Sequence, residues 1–287
     1  LNISYVKPPF VLQLLVMKDH KLLEKEFQAD GIKINWHNMG TSPQAARAMS
    51  SGSLDIAGNM NTAALLMLNS EGLPVRVVTG TAHPTSNFAI VSKPGTELSV
   101  KDLKGKQVVG PKGTFLHQLL VAALEKEGMR ESDVQFINMG IPKALSTILA
   151  GHADAALVAS SALIKANKAG AKTIINAEGL VEPTLVMTTT KQFAEEHPDI
   201  VKRVDKVYAE SLRWMKDHPS ETAEMGAKEH GISIEDAKTL MERSHYFDKM
   251  TTKDLEDLKV NQKFLRDNGM MRNEVTVEEL VLPVAME

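Results

Sequence analysis

The chain has 287 residues, 43% of them hydrophobic and 24% charged, and its formal net charge is −3. These values are typical of a globular protein with one large domain or two medium ones, and the slight negative charge gives no footprint for a nucleic-acid partner. The absence of cysteine excludes disulfide bonds, a thiolate nucleophile and cysteine-ligated metals.

The first third of the chain alternates between strand and helix patterns. Strands are predicted at 1–6, 32–36, 54–58 and 75–81. Helices are predicted at 11–27 and 61–71, and a further helix begins at Ser42, which is its predicted N-cap. Strands that alternate with helices predict a mainly parallel sheet with helices on its faces.

Residues 82–87 break this pattern and read as a crossover. A second series follows, with strands at 88–92, 107–110, 134–138, 153–158 and 173–175 and helices at 114–127, 142–150 and 161–169. A strand at 184–188 comes after Pro183, and the chain is then almost wholly helical from Pro198. We expect this helical segment to pack on the first lobe. Lobe one is then 1–85 and 184–287, and lobe two is 86–183, with hinges near Thr85 and Pro183.

Two stretches about one hundred positions apart support two related lobes. Both contain Asn-Met-Gly, at 38–40 and at 138–140, between an alternating strand pattern and an amphipathic helix. Each helix ends at a glycine, Gly52 or Gly151, before another strand. Two such lobes would face each other across a cleft. The match is short and one residue out of register, so a chance similarity between two strand–helix turns is the alternative.

The residues with chemical potential do not form an enzyme signature. The sequence has no nucleophile elbow, metalloprotease motif, phosphate-binding loop or dinucleotide fingerprint. The nine histidines are scattered, and none has the spacing of metal ligands. We therefore predict a protein that is not an enzyme and that carries no cofactor and no metal.

The predicted cleft is rich in helix N-termini. In open α/β sheets, ligands bind outside the carboxyl ends of the strands, and the free N–H groups of a helix N-terminus can hold an anion. We expect Thr114 to hold such a group with its hydroxyl and its helix N-terminus. For Ser42, Thr62, Thr114 or Ser161 taken singly, the alternative is that the residue only caps its helix. The predicted ligand-binding residues are Pro9, Phe10, Thr41, Ser42, Met60, Asn61, Thr62, Thr85, Gly113, Thr114, Phe115, Met139, Ile141 and Ser160.

Several segments, taken together in their order, resemble the periplasmic substrate-binding proteins of the ABC importers for aliphatic sulfonates, taurine and nitrate. These segments are 52–56, 84–86, 103–108, 112–120 and 153–155, and the resemblance extends from Ile3 to about Trp214. It implies an α/β, two-lobed periplasmic-binding-protein fold, in which each lobe is a mixed, mainly parallel sheet flanked by helices. It also implies a monomer that binds a small organic molecule and delivers it to the transmembrane permease subunits of an ABC importer.

The departures from that family affect the expected ligand. Sulfonate and taurine binders often have Glu-Thr-Pro where this chain has Asn61-Thr62-Ala63, and Trp-Asp-Pro where it has Ala159-Ser160-Ser161. Without those carboxylates an ammonium group loses its partner, so we expect an anionic or polar head on an uncharged, fairly apolar body rather than taurine. An enzyme similar to a thiamine-pyrimidine synthase and a ligand-sensing domain of a membrane receptor are the alternatives.

The first residue is Leu1 and not methionine, which favours the removal of a preceding segment, either a signal peptide or part of an expressed chain. We expect an exported protein, periplasmic or otherwise extracytoplasmic, whose signal segment is absent from this chain.

Overall fold

A computed structural model of the protein describes residues 1–5 and 10–286. The first part of the chain follows the predicted alternation closely. Its elements are β1 (Asn2–Tyr5), α1 (Leu12–Asp19), α2 (Leu22–Phe27), β2 (Asn35–Asn38), α3 (Ser42–Ser50), β3 (Ile56–Asn61), α4 (Thr62–Ser70) and β4 (Val75–Ala82).

The three largest differences from the sequence prediction in this part of the chain are the following. The helix predicted at 11–27 is two helices, because Lys21 adopts the left-handed φ of +54° between α1 and α2. The second strand begins at Asn35, three residues later than predicted. β3 lies two to three residues further along than the predicted strand at 54–58, and it ends at Asn61. Asn61 itself caps α4 as expected.

The second part of the chain repeats the arrangement. After a short 3₁₀ turn (Thr85–Asn87), its elements are β5 (Phe88–Ser92), β6 (Gln107–Gly110), α5 (Phe115–Lys126), β7 (Gln135–Asn138), α6 (Ile141–Leu149), β8 (Ala155–Ala159), α7 (Ser161–Lys168) and β9 (Thr173–Asn176). The chain then returns through β10 (Leu185–Thr190). The C-terminal helices are α8 (Lys191–Glu196), α9 (Pro198–Asp217), α10 (Pro219–His230), α11 (Ile234–Ser244), α12 (Thr252–Asp267) and α13 (Pro283–Met286).

The strands form two five-stranded sheets of the same topology. The first has the order β2-β1-β3-β10-β4 and the second β7-β6-β8-β5-β9. In each sheet the first three strands are parallel, and the fourth is antiparallel to both its neighbours. The units β2–α3–β3 and β7–α6–β8 occupy equivalent positions, so the repeat seen in the sequence is structural. Lobe one denotes the first sheet with its helices, and lobe two denotes the second.

The C-terminal helices contact elements of the first sheet and its helices. α9 lies along α1 and α2 and buries Val204, Tyr208 and Leu212. At the end of the chain, Leu282 N–H donates to the Val77 carbonyl of β4 over 3.0 Å. Across the described residues, no helix is both long and apolar enough to cross a membrane.

The two crossovers between the lobes are tied to each other and to the C-terminal helices. The Thr85 hydroxyl of the first donates to Glu182 Oε2 of the second over 3.2 Å. His83 stacks on Phe247 at 4.2 Å and lies 3.1 Å from Asp254 Oδ1 of α12. Burial alone would raise the pKa of Asp254, but hydrogen bonds from His83 and Thr251 lower it to about 2, so this carboxylate is ionised at neutral pH.

A glycine permits the close approach of Phe247 to β4. A Cβ on Gly80 would lie 2.0 Å from the Phe247 ring. A larger residue at this position would displace the ring that stacks on His83. The first crossover is therefore positioned partly by the absence of a side chain on the neighbouring strand.

Candidate functional site

A cavity lies between the two lobes, at the carboxyl ends of the parallel strands of both sheets. Its atom-free space is about 610 Å³, including the space at its open mouth. Lobe one and lobe two both contribute to the wall. The lining residues are Ser4, Tyr5, Met39, Gly40, Thr41, Ser42, Ala45, Asn59, Asn61, Phe88, Pro111, Thr114, Leu116, Ile141 and Leu185.

Five of the predicted site residues line this cavity, namely Thr41, Ser42, Asn61, Thr114 and Ile141. They belong to the starts of four helices. The N-termini of α3 and α4 approach from lobe one, and those of α5 and α6 from lobe two. The sequence prediction that helix N-termini converge on a cleft agrees with this geometry.

The other predicted residues lie elsewhere, and Pro9 falls outside the described residues. Met60 and Phe115 are buried in the hydrophobic core. Ser160 is fully buried, and its Oγ accepts from Phe10 N–H over 3.3 Å. Phe10 packs on the His230 ring at 4.6 Å. The remaining residues that do not line the cavity are Thr62, Thr85, Gly113 and Met139.

The lobe-one side of the cavity is held by a small hydrogen-bond network. Thr41, and not Ser42 as predicted, is the N-cap of α3, and its hydroxyl accepts from Gln44 N–H. Ser42 is therefore free to accept from Asn61, through its backbone N–H at 3.3 Å and its Nδ2 at 3.1 Å. Asn61 Oδ1 in turn accepts from Ala64 N–H over 2.8 Å and caps α4. The network fixes the α3 and α4 N-termini side by side.

The turn before α5 is built around His117. Gly113 has φ +72°, and its N–H donates to His117 Nδ1 over 3.2 Å. Nδ1 therefore carries no proton, and the protonated Nε2 donates to Glu131 over 2.6 Å. Burial lowers the pKa of His117, an effect that the Glu131 carboxylate partly offsets and that Lys112 reinforces.

The Thr114 hydroxyl is already engaged within this turn. It donates to the Pro111 carbonyl over 2.8 Å and accepts from His117 N–H at 3.5 Å. The expectation that the hydroxyl itself holds a ligand group therefore needs correction, because its proton is already in use. What Thr114 can offer a ligand is the helix N-terminus that it caps.

α6 differs from the other three cleft helices because no described side chain caps it. Its N-cap is Gly140, with φ −66°, and Pro142 in its first turn has no N–H. The N–H groups of Ile141 and Lys143 have no partner within the helix, as is general for a first turn. Ile141 lines the cavity, so its backbone N–H is a donor available to a ligand there.

Among the described residues, the electrostatics of the cavity come from the backbone and not from charged side chains. None of the described lining residues is charged. Four helix N-termini each carry about half a positive charge, which favours an anion. Apolar side chains form the rest of the wall, including Met39, Phe88 and Leu116.

Sequence reasoning missed ten lining residues, although some signals were available. Asn59 shares a strand face with Asn61, which the two-residue period of β3 would have indicated. Phe88 and Leu185 are the first residues of β5 and β10, directly after the crossovers. The other missed residues are Ser4, Tyr5, Met39, Gly40, Ala45, Pro111 and Leu116.

The sequence model of the NMT1/THI5 like family matches residues 26–222, which is more than half of the chain. The chain belongs to this family.

Two curated relatives are the putative aliphatic sulfonates-binding protein of Bacillus subtilis (strain 168) and the taurine-binding periplasmic protein of Escherichia coli (strain K12). The first is 27% identical over 217 residues, covering 74% of this chain and 64% of the relative. The second is 29% identical over 180 residues, covering 61% of this chain and 55% of the relative. The chain thus matches less than two thirds of the length of either relative.

Solved structures show the same fold. The alkanesulfonate-binding protein SsuA from Xanthomonas axonopodis pv. citri, bound to MOPS, superposes with a TM-score of 0.85 at 21% identity, over 98% of this chain and 97% of that one. The desulfurization enzyme DSZB superposes with a TM-score of 0.73 at 13% identity, over 99% and 96%. The two-lobed α/β fold expected from the sequence is therefore confirmed. The desulfurization enzyme DSZB has the same fold.

Protonation of buried His117 makes the free energy of unfolding depend on pH. Burial lowers the pKa of His117 in the folded protein below the ordinary 6.5. Neutral His117 therefore contributes its full share of the folding stability above about pH 6.5, and this share is lost as the pH falls through the lowered pKa. His117→Asn keeps an acceptor near Gly113 but does not titrate. We expect the free energy of unfolding in urea to fall less between about pH 7.5 and about pH 5.5 for this variant than for the wild type.

The control is His152→Asn, which changes an exposed histidine of the same lobe. It should keep the pH dependence of the wild type. If His117→Asn also keeps that dependence, protonation of His117 does not disrupt the turn, and its assigned role is wrong.

Proposed function

We propose that the protein is the solute-binding component of an ABC importer and that it captures a small organic anion in the cleft between its lobes. The observation that carries the proposal is the convergence of four helix N-termini, two from each lobe, on a cavity without a charged side chain among its described lining residues. A sulfonate or carboxylate head is the ligand group that such a site favours.

The physical basis is the unsatisfied positive end of each helix. A helix N-terminus stabilises a nearby anion by about 0.3–1 kcal/mol at the surface and by up to about 2 kcal/mol when partly buried. α6 has the strongest claim to direct contact, because Gly140 leaves its first turn uncapped. A cation in the same place would meet no carboxylate among the described lining residues and would bear its full desolvation cost.

The apolar wall supports an uncharged body behind the anionic head. Phe88 and Leu185 come from the crossover strands, and Leu116 and Ile141 come from the first turns of α5 and α6. A short alkyl chain would bury its surface there, at about 0.8 kcal/mol for each CH₂ group. The superposed SsuA structure is bound to MOPS, which carries a sulfonate head.

Capture involves closure of the lobes about the two crossovers. The proposed division is 1–85 with 184–287 for lobe one and 86–183 for lobe two, with hinges near Thr85 and Pro183. It is supported by strand membership, because the first sheet uses strands within 2–82 and 185–190, and the second uses strands within 88–176. A ligand that contacts both lobes shifts the population toward the closed state by its differential affinity.

The partner, the compartment and the assembly follow from the same role. We propose that the closed protein docks as a monomer on the transmembrane permease subunits, outside the cytoplasm in the periplasm. The descriptions of the relatives as sulfonate-binding and taurine-binding proteins support this role.

Catalysis on this fold is the alternative, and DSZB shows that the fold is compatible with it. The described lining residues include no histidine, carboxylate, lysine or arginine to transfer a proton, and the sequence has no cysteine nucleophile. These features favour binding without chemistry.

Propanesulfonate and taurine test the ligand class. They have similar size, but taurine carries an ammonium group where propanesulfonate carries a methyl group. We expect propanesulfonate to bind at least about tenfold more tightly, because the cavity offers the ammonium no carboxylate. Isothermal titration calorimetry at constant ionic strength measures both affinities. Tighter binding of taurine would refute this assignment of the ligand.

Asn61→Asp should reduce or reverse that preference, because it places a carboxylate in the cavity. Ser160, the other position where the sulfonate and taurine binders often have an acidic residue, does not line the cavity and is left unchanged. Asn69→Asp is the matched control, since it makes the same chemical change in the last turn of α4. It should leave the ratio of the two affinities unchanged.

Gly140 tests whether α6 holds the anion. Gly140→Asn would supply a side-chain cap to the first turn, and Gly140→Asp would add a negative charge to that cap. A Cβ at this position comes no nearer than 3.9 Å to its neighbours, so neither change is strained. We expect propanesulfonate affinity to fall in the order Gly, Asn, Asp, with Asp at least about tenfold below the wild type.

Urea unfolding separates this effect from misfolding, because Asn and Asp are preferred N-caps and should maintain or raise stability. An unchanged affinity in Gly140→Asp would show that the anion is held elsewhere.

A further inference from the structure

A second cavity lies behind the hinge, and it shares no lining residue with the cleft. Its atom-free space is about 710 Å³, including the part open to solvent. Three elements enclose it, namely α5 of lobe two, residues 179–182 of the second crossover, and α12 of the C-terminal helices. Gln118 lies on its wall, one turn of α5 beyond Thr114.

Two buried amide oxygens on this wall lack a hydrogen-bond partner. Gln118 and Asn261 are 3% and 8% exposed. Neither the Gln118 Oε1 nor the Asn261 Oδ1 accepts a hydrogen bond from any group in residues 1–5 or 10–286. A buried amide oxygen without a donor is costly, and native structures rarely leave one unpaired. Both oxygens are shielded from the cavity as they lie. A half-turn of the terminal amide exchanges its oxygen and nitrogen, so each side chain can turn an acceptor toward a ligand.

The charges around the cavity are mainly negative. Glu182 and Asp257 both line it. Glu182 accepts from Thr85, and Asp257 pairs with Lys253 Nζ at 2.5 Å. One lysine thus faces two carboxylates at this edge, which leaves a net negative charge and disfavours an anion.

The groups around the cavity favour an ammonium ion over a metal ion. An ammonium group has three N–H donors, enough for the two amide oxygens and one carboxylate. Phe264 also lines the cavity and can contact the alkyl part or the cation itself. A divalent metal is a poor match, because no cluster of three or more His, Cys, Asp or Glu residues in the described chain could hold one.

We propose that this cavity is a second ligand site, specific for a small primary ammonium ion, with Gln118 and Asn261 as its main hydrogen-bonding groups. The ammonium donates to both amide oxygens, and Glu182 and Asp257 balance its charge. The alkyl part lies toward Phe264 and the exposed rim residue Val260. The site is independent of the anion proposed for the cleft.

The test uses ethylammonium chloride as the probe and the full chain without cleft ligand. Nuclear magnetic resonance of ¹⁵N-labelled protein follows the side-chain NH₂ signals of Gln118 and Asn261 during the titration, with sodium chloride at matched ionic strength. We expect saturable shifts of both signals with ethylammonium and none with sodium chloride. Gln118→Met and Asn261→Leu keep the side-chain volume, and each should weaken the apparent affinity by about tenfold. Each variant is followed through the remaining amide signal.

Gln135→Met is the matched control, because it removes an exposed amide of the same lobe. It should bind ethylammonium as the wild type does. The proposal is overturned if the shifts do not saturate, or if neither cavity variant changes the affinity. It is also overturned if sodium acetate produces the same saturable shifts, because the cavity would then select the opposite charge.

Discussion

The whole molecule depends on how the chain passes twice between its two sheets. Each passage delivers a strand into the sheet of the receiving lobe, where it is the fourth strand in the order and lies antiparallel between the third and the fifth. β5 enters the second sheet in this way and β10 enters the first. Because both crossovers run behind the cleft, Phe88 and Leu185 form part of its lining. The same strand insertion that joins the lobes therefore also shapes the ligand cavity and the second cavity behind it.

The cleft concentrates positive potential without using a charged side chain among its described lining residues. Three of its helices are capped by their own side chains, Thr41, Asn61 and Thr114. The fourth begins at Gly140 and has no side-chain cap in the described structure. Partial charges of the backbone are fixed in place and need no reorganisation when a ligand arrives, whereas a lysine must lose rotamer freedom to bind. This arrangement suits a receptor that must bind and then release an anion.

The fold could be predicted from the sequence because its determinants are local. Alternating strand patterns and the Asn-Met-Gly repeat were sufficient to predict two α/β lobes. Element boundaries were less certain where one residue changes the backbone, as Lys21 does between α1 and α2. A single left-handed residue leaves no trace in a hydrophobic period.

The candidate site could be predicted only in part, for a physical reason. Caps such as Thr41, Asn61 and Thr114 precede helices in sequence, so local patterns identify them. Residues such as Ser160 also precede a helix, but a contact with Phe10, distant in sequence, takes Ser160 out of the cleft. The unpaired amides of Gln118 and Asn261 likewise depend on packing between distant segments, which no local pattern encodes.

The central claim is that the two lobes close on an anion, and a distance measurement between them tests it most directly. The chain has no cysteine, so Arg47→Cys in α3 and Ser146→Cys in α6 would accept a single pair of spin labels. Double electron–electron resonance should give a shorter and narrower distance distribution with saturating propanesulfonate than without it. A second pair at Lys33 and Arg47, both within lobe one, should not change. Identical distributions between the lobes with and without bound propanesulfonate would contradict the account.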